Sequence, residues 1–172
     1  MKRIFASLIT VFLLCAGGSA VFAEKIKEGD LAPGFELRDQ DGQLHSLEYY
    51  RDKWLVLYFY PKDDTPGCTT EACEFRDAIF SFKKLNCQIL GISLDDEMSH
   101  KAFADKYSLP FPLLADTDGT TSKTYGVKGM IFAKRQTFLI DPNGRIAKHY
   151  AKVDPTTHSL QVLADLKELI NP

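Results

Sequence analysis

"WLVLYFYPKDDTPGCTTEACEFRDAIFSFKKL", residues 54 to 85, changes its hydrophobic period part-way, and that change sets the fold class. Residues 54 to 60 are a continuous apolar and aromatic run of strand length, the mark of a strand covered on both faces. From Cys68 onward the apolar residues Phe75, Ile79, Phe82 and Leu85 recur at helical spacing. Residues 61 to 67, with Pro61, Pro66 and Gly67, read as the loop between strand and helix. Two cysteines, Cys68 and Cys73, stand at the start of the helix.

The alternation continues outward. "CQILGISLD", 87 to 95, is a second buried strand, and an amphipathic helix follows over 97 to 107. "PFPLLAD" is a short extended piece, and "TTSKTYGV" a short helix closed by Gly126. "FELRDQDGQLHSL" near the start and "QTFLIDPNGRIAKHY" near the end read as hairpins around Asp39–Gly42 and Asp141–Gly144. A last helix opens with Asp154 as N-cap and Pro155 at the first helical position, with Leu160, Leu163, Leu166 and Ile170 facing a core. The pattern predicts one α/β domain over residues 24–172, a mixed central sheet flanked by helices with an N-terminal β-hairpin.

Composition bounds the function classes. Hydrophobic and charged fractions of 45% and 26% are those of a globular chain. A formal charge of −2 carries no basic surplus, so nothing suggests a nucleic-acid partner. Residues 1–23, "MKRIFASLITVFLLCAGGSAVFA", have Lys2 and Arg3, an apolar stretch from Ile4 to Cys15, and then small residues. This is the pattern of a cleaved signal peptide, with Val21-x-Ala23 before Glu24 as first choice of site and Gly18-x-Ala20 as second. The apolar stretch is short for a membrane span, which weighs against the alternative of an uncleaved anchor and against stable membrane association. Bulky Leu14 before Cys15 weighs against a lipoprotein. The expectation is a periplasmic or otherwise exported protein whose mature chain has three cysteines, Cys68, Cys73 and Cys87. An odd number is a poor disulfide framework, so reactivity is the better first reading.

Cys68 lies where a buried strand has ended and a helix begins. The first turn of a helix presents unpaired N–H groups and a partial positive charge, which stabilise a thiolate. That matters because the thiolate is the nucleophile. Gly67 leaves room for backbone N–H groups to approach a ligand, and Thr65 can set a hydroxyl near the sulfur. In an intact helix, residues five apart have Cα atoms roughly 8.7 Å apart, beyond the ~7 Å a disulfide tolerates. Cys68 and Cys73 can therefore bond only after the first turns unwind. The spacing suits a nucleophile and a resolving thiol better than a structural bridge, and Thr69 and Thr70, mediocre helix formers, make the opening cheaper.

Pro61-x-x-x-Thr65-x-x-Cys68 resembles the active-site pattern of the peroxiredoxins. "YFYPKDDTPGCTTEACEFRD" is similar to the peroxiredoxin Q, or bacterioferritin comigratory protein, subgroup, whose resolving cysteine follows the peroxidatic one by five. The resemblance extends through "GDLAPGFEL", "LGIS", "LLAD", "YGV" and "RQTFLID", and departs at Gly34, where the subgroup commonly has Asp. It implies a thioredoxin-like fold and a thiol peroxidase that needs no cofactor and no metal. Its catalytic residues would be Cys68 (peroxidatic), Cys73 (resolving), Thr65, Arg135 and Pro61. Gly67, Thr65 and Arg135 would bind the peroxide. Hydrogen peroxide and organic hydroperoxides would be reduced through a Cys68–Cys73 disulfide, recycled by a thioredoxin-like dithiol protein, by a chain expected to be a monomer. The alternative is a thiol redox sensor or holdase without sustained turnover. A disulfide reductase or isomerase would want C-x-x-C, which is absent.

Other candidates weigh less. Cys87 reads as a buried small hydrophobe. His45, His100, His149 and His158 are scattered without metal-ligand spacing. Trp54, Phe59 and Tyr60 read as core or pocket wall. Arg76 and Asp77 read as a pair beneath the site or as a solvated helix face. Glu71 complements the helix dipole with no catalytic role.

Overall fold

The structure, a computed structural model, describes residues 25–171. The proposed export segment lies outside the described residues. A five-stranded sheet forms the centre, in the order β5 (Leu113–Ala115), β4 (Cys87–Ser93), β3 (Trp54–Phe59), β6 (Gln136–Ile140), β7 (Ile146–Tyr150). β3, β4 and β5 run parallel, and β6 and β7 close the sheet antiparallel, so the sheet is mixed. Parallel neighbours need crossovers, and the helices α1 (Pro66–Lys84) and α2 (Glu97–Tyr107) supply them. A separate two-stranded hairpin, β1 (Glu36–Arg38) with β2 (Leu44–Ser46), precedes the sheet.

β3 is the centre of the core because both its faces are covered. Val56, Tyr58 and Tyr60 join residues of α1, α2 and the C-terminal helix α4 (His158–Ile170). Leu55, Leu57 and Phe59 join Tyr125, just past the short helix α3 (Thr120–Thr124), together with Phe138 and the N-terminal residues Ala32 and Phe35. A strand with no solvent face reads as an unbroken apolar run, as residues 54 to 60 do.

Two helix starts differ from the sequence expectation. α1 begins at Pro66, not at Cys68, with Thr65 as N-cap. Proline suits the first helical position because its missing N–H is one the helix would leave unpaired. At the other end, α4 begins at His158, not beside Asp154. The Asp154 carboxylate accepts from the Thr156 N–H and hydroxyl, so it caps a turn rather than the helix. Leu160 is corrected too. It is 61% exposed, because the buried stripe runs through Ser159, Val162, Leu163 and Leu166, and Leu160 falls some 200° from Val162 around the helix.

Candidate active site

The sheet brings three pieces of chain to one place. β3 ends at Phe59, the loop 60–65 leaves its C-terminal end, and α1 begins at once. β6 pairs antiparallel with β3, Phe59 opposite Gln136, so Arg135 stands where that loop begins. Residues 67 positions apart thus become neighbours: Arg135 Nη2 donates to Cys68 Sγ at 3.2 Å. Cys68 is the third residue of α1 and 1% exposed, set in the turn whose N–H groups are free of helical partners.

Arg135 is itself held from behind. Its Nη1 donates to Glu71 Oε2, and the two side chains are 19% and 1% exposed. Burial drives the Arg135 guanidinium down, but the negative groups around it, Glu71 first, outweigh that and raise it above its ordinary value. Burial is also the largest influence on Glu71, pushing its carboxyl up to about 7 against the downward pull of Arg135. The guanidinium therefore lies between a carboxyl and a sulfur, which fixes its plane with one fork to each. The sequence places Glu71 only as a complement to the helix dipole; its buried contact with Arg135 is what that reading lacked. The signal was available: Glu71 is three residues past Cys68 and four before Phe75, hence on the buried face of α1.

Gly67 leaves space for that guanidinium: a Cβ on it would lie 3.3 Å from Arg135 Nη2. The Thr65 hydroxyl donates to the Lys62 carbonyl at 2.9 Å, so toward a ligand it offers its lone pairs. Pro61 opens the loop beside the buried Tyr60. Tyr58 shares the buried cluster with Cys68, and its buried hydroxyl is raised far above its ordinary range by burial and then by Glu71 and Asp63, against the downward pull of Arg135.

The other thiols and histidines fall elsewhere. Cys73 is half-buried, further along α1 than Cys68, and both are free thiols. Arg76 reaches Asp77 at 2.8 Å and the Tyr107 carbonyl at 2.9 Å, tying α1 to the end of α2. Cys87 is fully buried at the start of β4. His158 is buried below the site, donating to or accepting from Thr137 Oγ1 at 2.8 Å, and burial lowers its pKa to about 4. His100 is bound to Asp63, His45 to Asp39 and His149 to Gln136. Among the described residues no three His, Cys, Asp or Glu side chains converge as a metal site would require.

Comparison with known proteins places the chain in a family. Residues 29–149 match the AhpC/TSA family. The chloroplastic peroxiredoxin Q of Arabidopsis thaliana is 46% identical over 151 residues, covering 86% of this chain and 69% of the relative. That of Sedum lineare is 42% identical over 156 residues, covering 87% and 83%. Among solved structures, PrxQ of Xylella fastidiosa superposes with a TM-score of 0.80 at 36% identity, covering 85% of this chain and 98% of that one. The family match runs from before β1 into β7, so it includes α1 and the start of β6. The chain belongs to the AhpC/TSA family of peroxiredoxins, the thiol peroxidases, alongside the peroxiredoxin Q proteins.

Proposed function

We propose that Cys68 is the peroxidatic nucleophile and Cys73 its resolving partner in the reduction of hydrogen peroxide and organic hydroperoxides. The observation that carries this reading is the Arg135 guanidinium at 3.2 Å from Cys68 Sγ. An always-charged planar donor beside a sulfur favours its thiolate and can also bind a peroxide oxygen. The Thr65 oxygen, its own proton committed to Lys62, can accept from the peroxide O–H. The free N–H groups of the first turn and Arg135 can hold the oxygen that leaves.

The thiolate attacks one peroxide oxygen: the S–O bond forms, the O–O bond breaks, and the alkoxide or hydroxide departs and takes a proton. Sulfur loses two electrons and Cys68 becomes a sulfenic acid. The first turns of α1 then unwind, Cys73 attacks that sulfur, water leaves and an S–S bond forms. A thioredoxin-like dithiol protein supplies two electrons and two protons to restore both thiols. No metal or organic cofactor takes part in this scheme. Pro61 fixes the bend into the loop. For residues 1–23 we propose an export signal, giving a periplasmic or otherwise exported mature chain that works as a monomer and begins at Glu24.

Intact mass and tryptic mapping after one equivalent of hydrogen peroxide test the scheme. The reduced wild type is expected to lose two hydrogens as a Cys68–Cys73 bridge, and Cys73→Ser to carry a trappable sulfenic acid on Cys68. A bridge to Cys87, or no rapid reaction at Cys68, overturns the assignment. Sustained peroxide consumption with a reduced thioredoxin-class protein separates an enzyme from a sensor, which is oxidised once and stops. N-terminal sequencing of the secreted protein addresses export; a mature chain still beginning at Met1 removes that part of the proposal.

A further inference from the structure

The loop in front of Cys68 is fastened by a buried carboxylate that none of the chemistry above uses. Asp63 is 7% exposed. Its Oδ1 accepts from the Tyr60 hydroxyl at 2.7 Å. Its Oδ2 accepts from the Ser99 hydroxyl at 2.8 Å and meets His100 Nδ1 at 2.8 Å. Its backbone N–H donates to Asp95 Oδ2 at 2.8 Å, and that oxygen is fixed in turn by the Ser93 hydroxyl at 2.9 Å. Tyr60 ends the strand run, Ser99 and His100 lie in the first turn of α2, and Asp95 lies between β4 and α2. One short residue thus ties the loop to its own first residue, to α2 and to the segment between β4 and α2.

A carboxylate taken out of water is costly unless donors replace that water. Burial pushes the Asp63 carboxyl up, yet the bonds from His100, Tyr60 and Ser99 outweigh burial and hold it below the usual carboxylate range. A charge satisfied from three directions has one orientation, whereas an apolar plug at the same place would leave the loop free to slide. The neighbours are held as well. Asp64, at a φ of 54° that few non-glycine residues adopt, accepts from Lys106 Nζ and from the Tyr107 hydroxyl at 2.7 Å. Thr65 is bonded back to Lys62. Asp63 and Asp64 are thus fastened to α2 and to the segment before it, and Thr65 is tied to Lys62 within the loop, while α1 from Pro66 onward must unwind if Cys68 is to reach Cys73.

We propose that Asp63, gripped by Tyr60, Ser99 and His100, is a positioning residue for the attack on peroxide, keeping the Thr65 loop in one shape while the first turns of α1 open and close beside it. The proposal rests on the Cys68–Cys73 cycle described above. Asp63 touches neither sulfur nor peroxide in this scheme; it acts through Thr65 and the entry to α1. The loop is the fixed edge of the site and α1 the moving edge. Rewinding the helix against an unchanged loop restores the reactive geometry after each turnover.

Three rates, measured one by one, distinguish positioning from mere stability. In Asp63→Ala the rate constant of Cys68 with hydrogen peroxide should fall about tenfold to a hundredfold, the penalty of misplacing a reacting group by roughly an ångström. Closure of the sulfenic acid to the disulfide, and alkylation of Cys68 by iodoacetamide, should stay within about twofold, since neither needs the Thr65 loop. Asp63→Asn, which keeps a single acceptor oxygen and must turn its amide N–H toward either Tyr60 or the Ser99–His100 side, should recover only part of the loss. An Asp63→Ala protein that reacts with peroxide at the wild-type rate overturns the proposal, as does an equal fall in all three rates. Ser99→Ala, which removes one donor from a half-exposed position, covers the case in which Asp63→Ala does not fold; it should show a loss of about threefold confined to the peroxide step. Hydrogen exchange on the wild type adds an independent reading. On oxidation, residues 66–73 should lose protection while 60–64 keep theirs; loss at 60–64 also defeats the idea. If the wild type forms no Cys68–Cys73 bridge at all, it is the underlying cycle that has failed, and the wild-type mass spectrum alone reveals it.

Discussion

Cys68 and Cys87 are equally hidden from solvent, 1% and 0% exposed, yet they occupy opposite electrostatic settings. Cys68 lies in the first turn of a helix with a guanidinium nitrogen 3.2 Å from its sulfur. Cys87 opens β4, paired with Trp54 in the parallel ladder, and its thiol donates to the neighbouring Gln88 carbonyl at 3.6 Å. Burial pushes the Cys87 thiol up to about 12, and a backbone bond from Val56 only partly opposes that. The two thiols differ in surroundings rather than in exposure. A thiolate needs groups around the sulfur that replace the water it has lost, and the apolar cluster around Cys87 supplies too few.

The largest effect expected from this contrast is in alkylation. At pH 8 a thiol with a pKa of about 12 is ionised to roughly one part in 10⁴, so iodoacetamide should leave Cys87 unmodified in the native protein while Cys68 reacts. Peptide mapping after timed labelling measures it. Comparable labelling of Cys87 and Cys68 below the unfolding transition would erase the distinction.

Next in size is the loss of the guanidinium. Arg135→Ala should lower the rate constant with hydrogen peroxide by about 10²–10³, the usual penalty for removing a donor aimed at developing charge. Arg135→Lys should restore only part of this, because a point ammonium cannot send one fork to Glu71 and another to Cys68. Stopped-flow oxidation at several peroxide concentrations gives the constant. If Arg135→Ala stays within threefold of wild type, the helix terminus alone is enough and the arginine is structural.

How much of this was legible in the sequence depends on the distance over which each residue finds its partner. The strand at 54–60, the helix with Cys68 at its start, and both hairpins follow from local period and turn chemistry. Pro61, Thr65 and Cys68 sit within eight residues, so one short window displays them all. Glu71 and Asp63 were hidden for a common reason. An acidic residue in a helix or a loop is ordinarily solvated, and only a remote partner reverses that reading. Glu71 is buried because Arg135 arrives from 64 residues away, and Asp63 because Ser99 and His100 arrive from 36 and 37 residues away. Asp154 misled in the opposite direction. Followed by Pro155 it has the form of a helix cap, but Thr156 captured its carboxylate, and the helix had to start three residues later.

Glu71 gives the subtlest sharpening of the comparison, since it decides how much of the Arg135 charge reaches the sulfur. Its carboxyl titrates at about 7 in the folded chain, against 4.5 when solvated. The folded value is the higher one, so the stabilising contribution of this group is complete below about pH 4.5 and is lost as the pH rises through 7. The loss amounts to about 3 kcal/mol at most. His158 acts the other way, its pKa lowered to about 4 by burial, so its contribution is present above 6.5 and is lost as the pH falls toward 4. The two overlap in a single stability curve, and Glu71→Gln separates them. The difference in unfolding free energy between wild type and Glu71→Gln should drift against the wild type from pH 5 to pH 8, while the His158 component cancels. An amide at 71 can still accept from Arg135 Nη1 but no longer neutralises it, so the peroxide rate constant should change less than fivefold and lose its step near pH 7. A flat difference curve in urea titrations across that range would mean that burial does not raise the Glu71 carboxyl and that it stays charged beside Arg135.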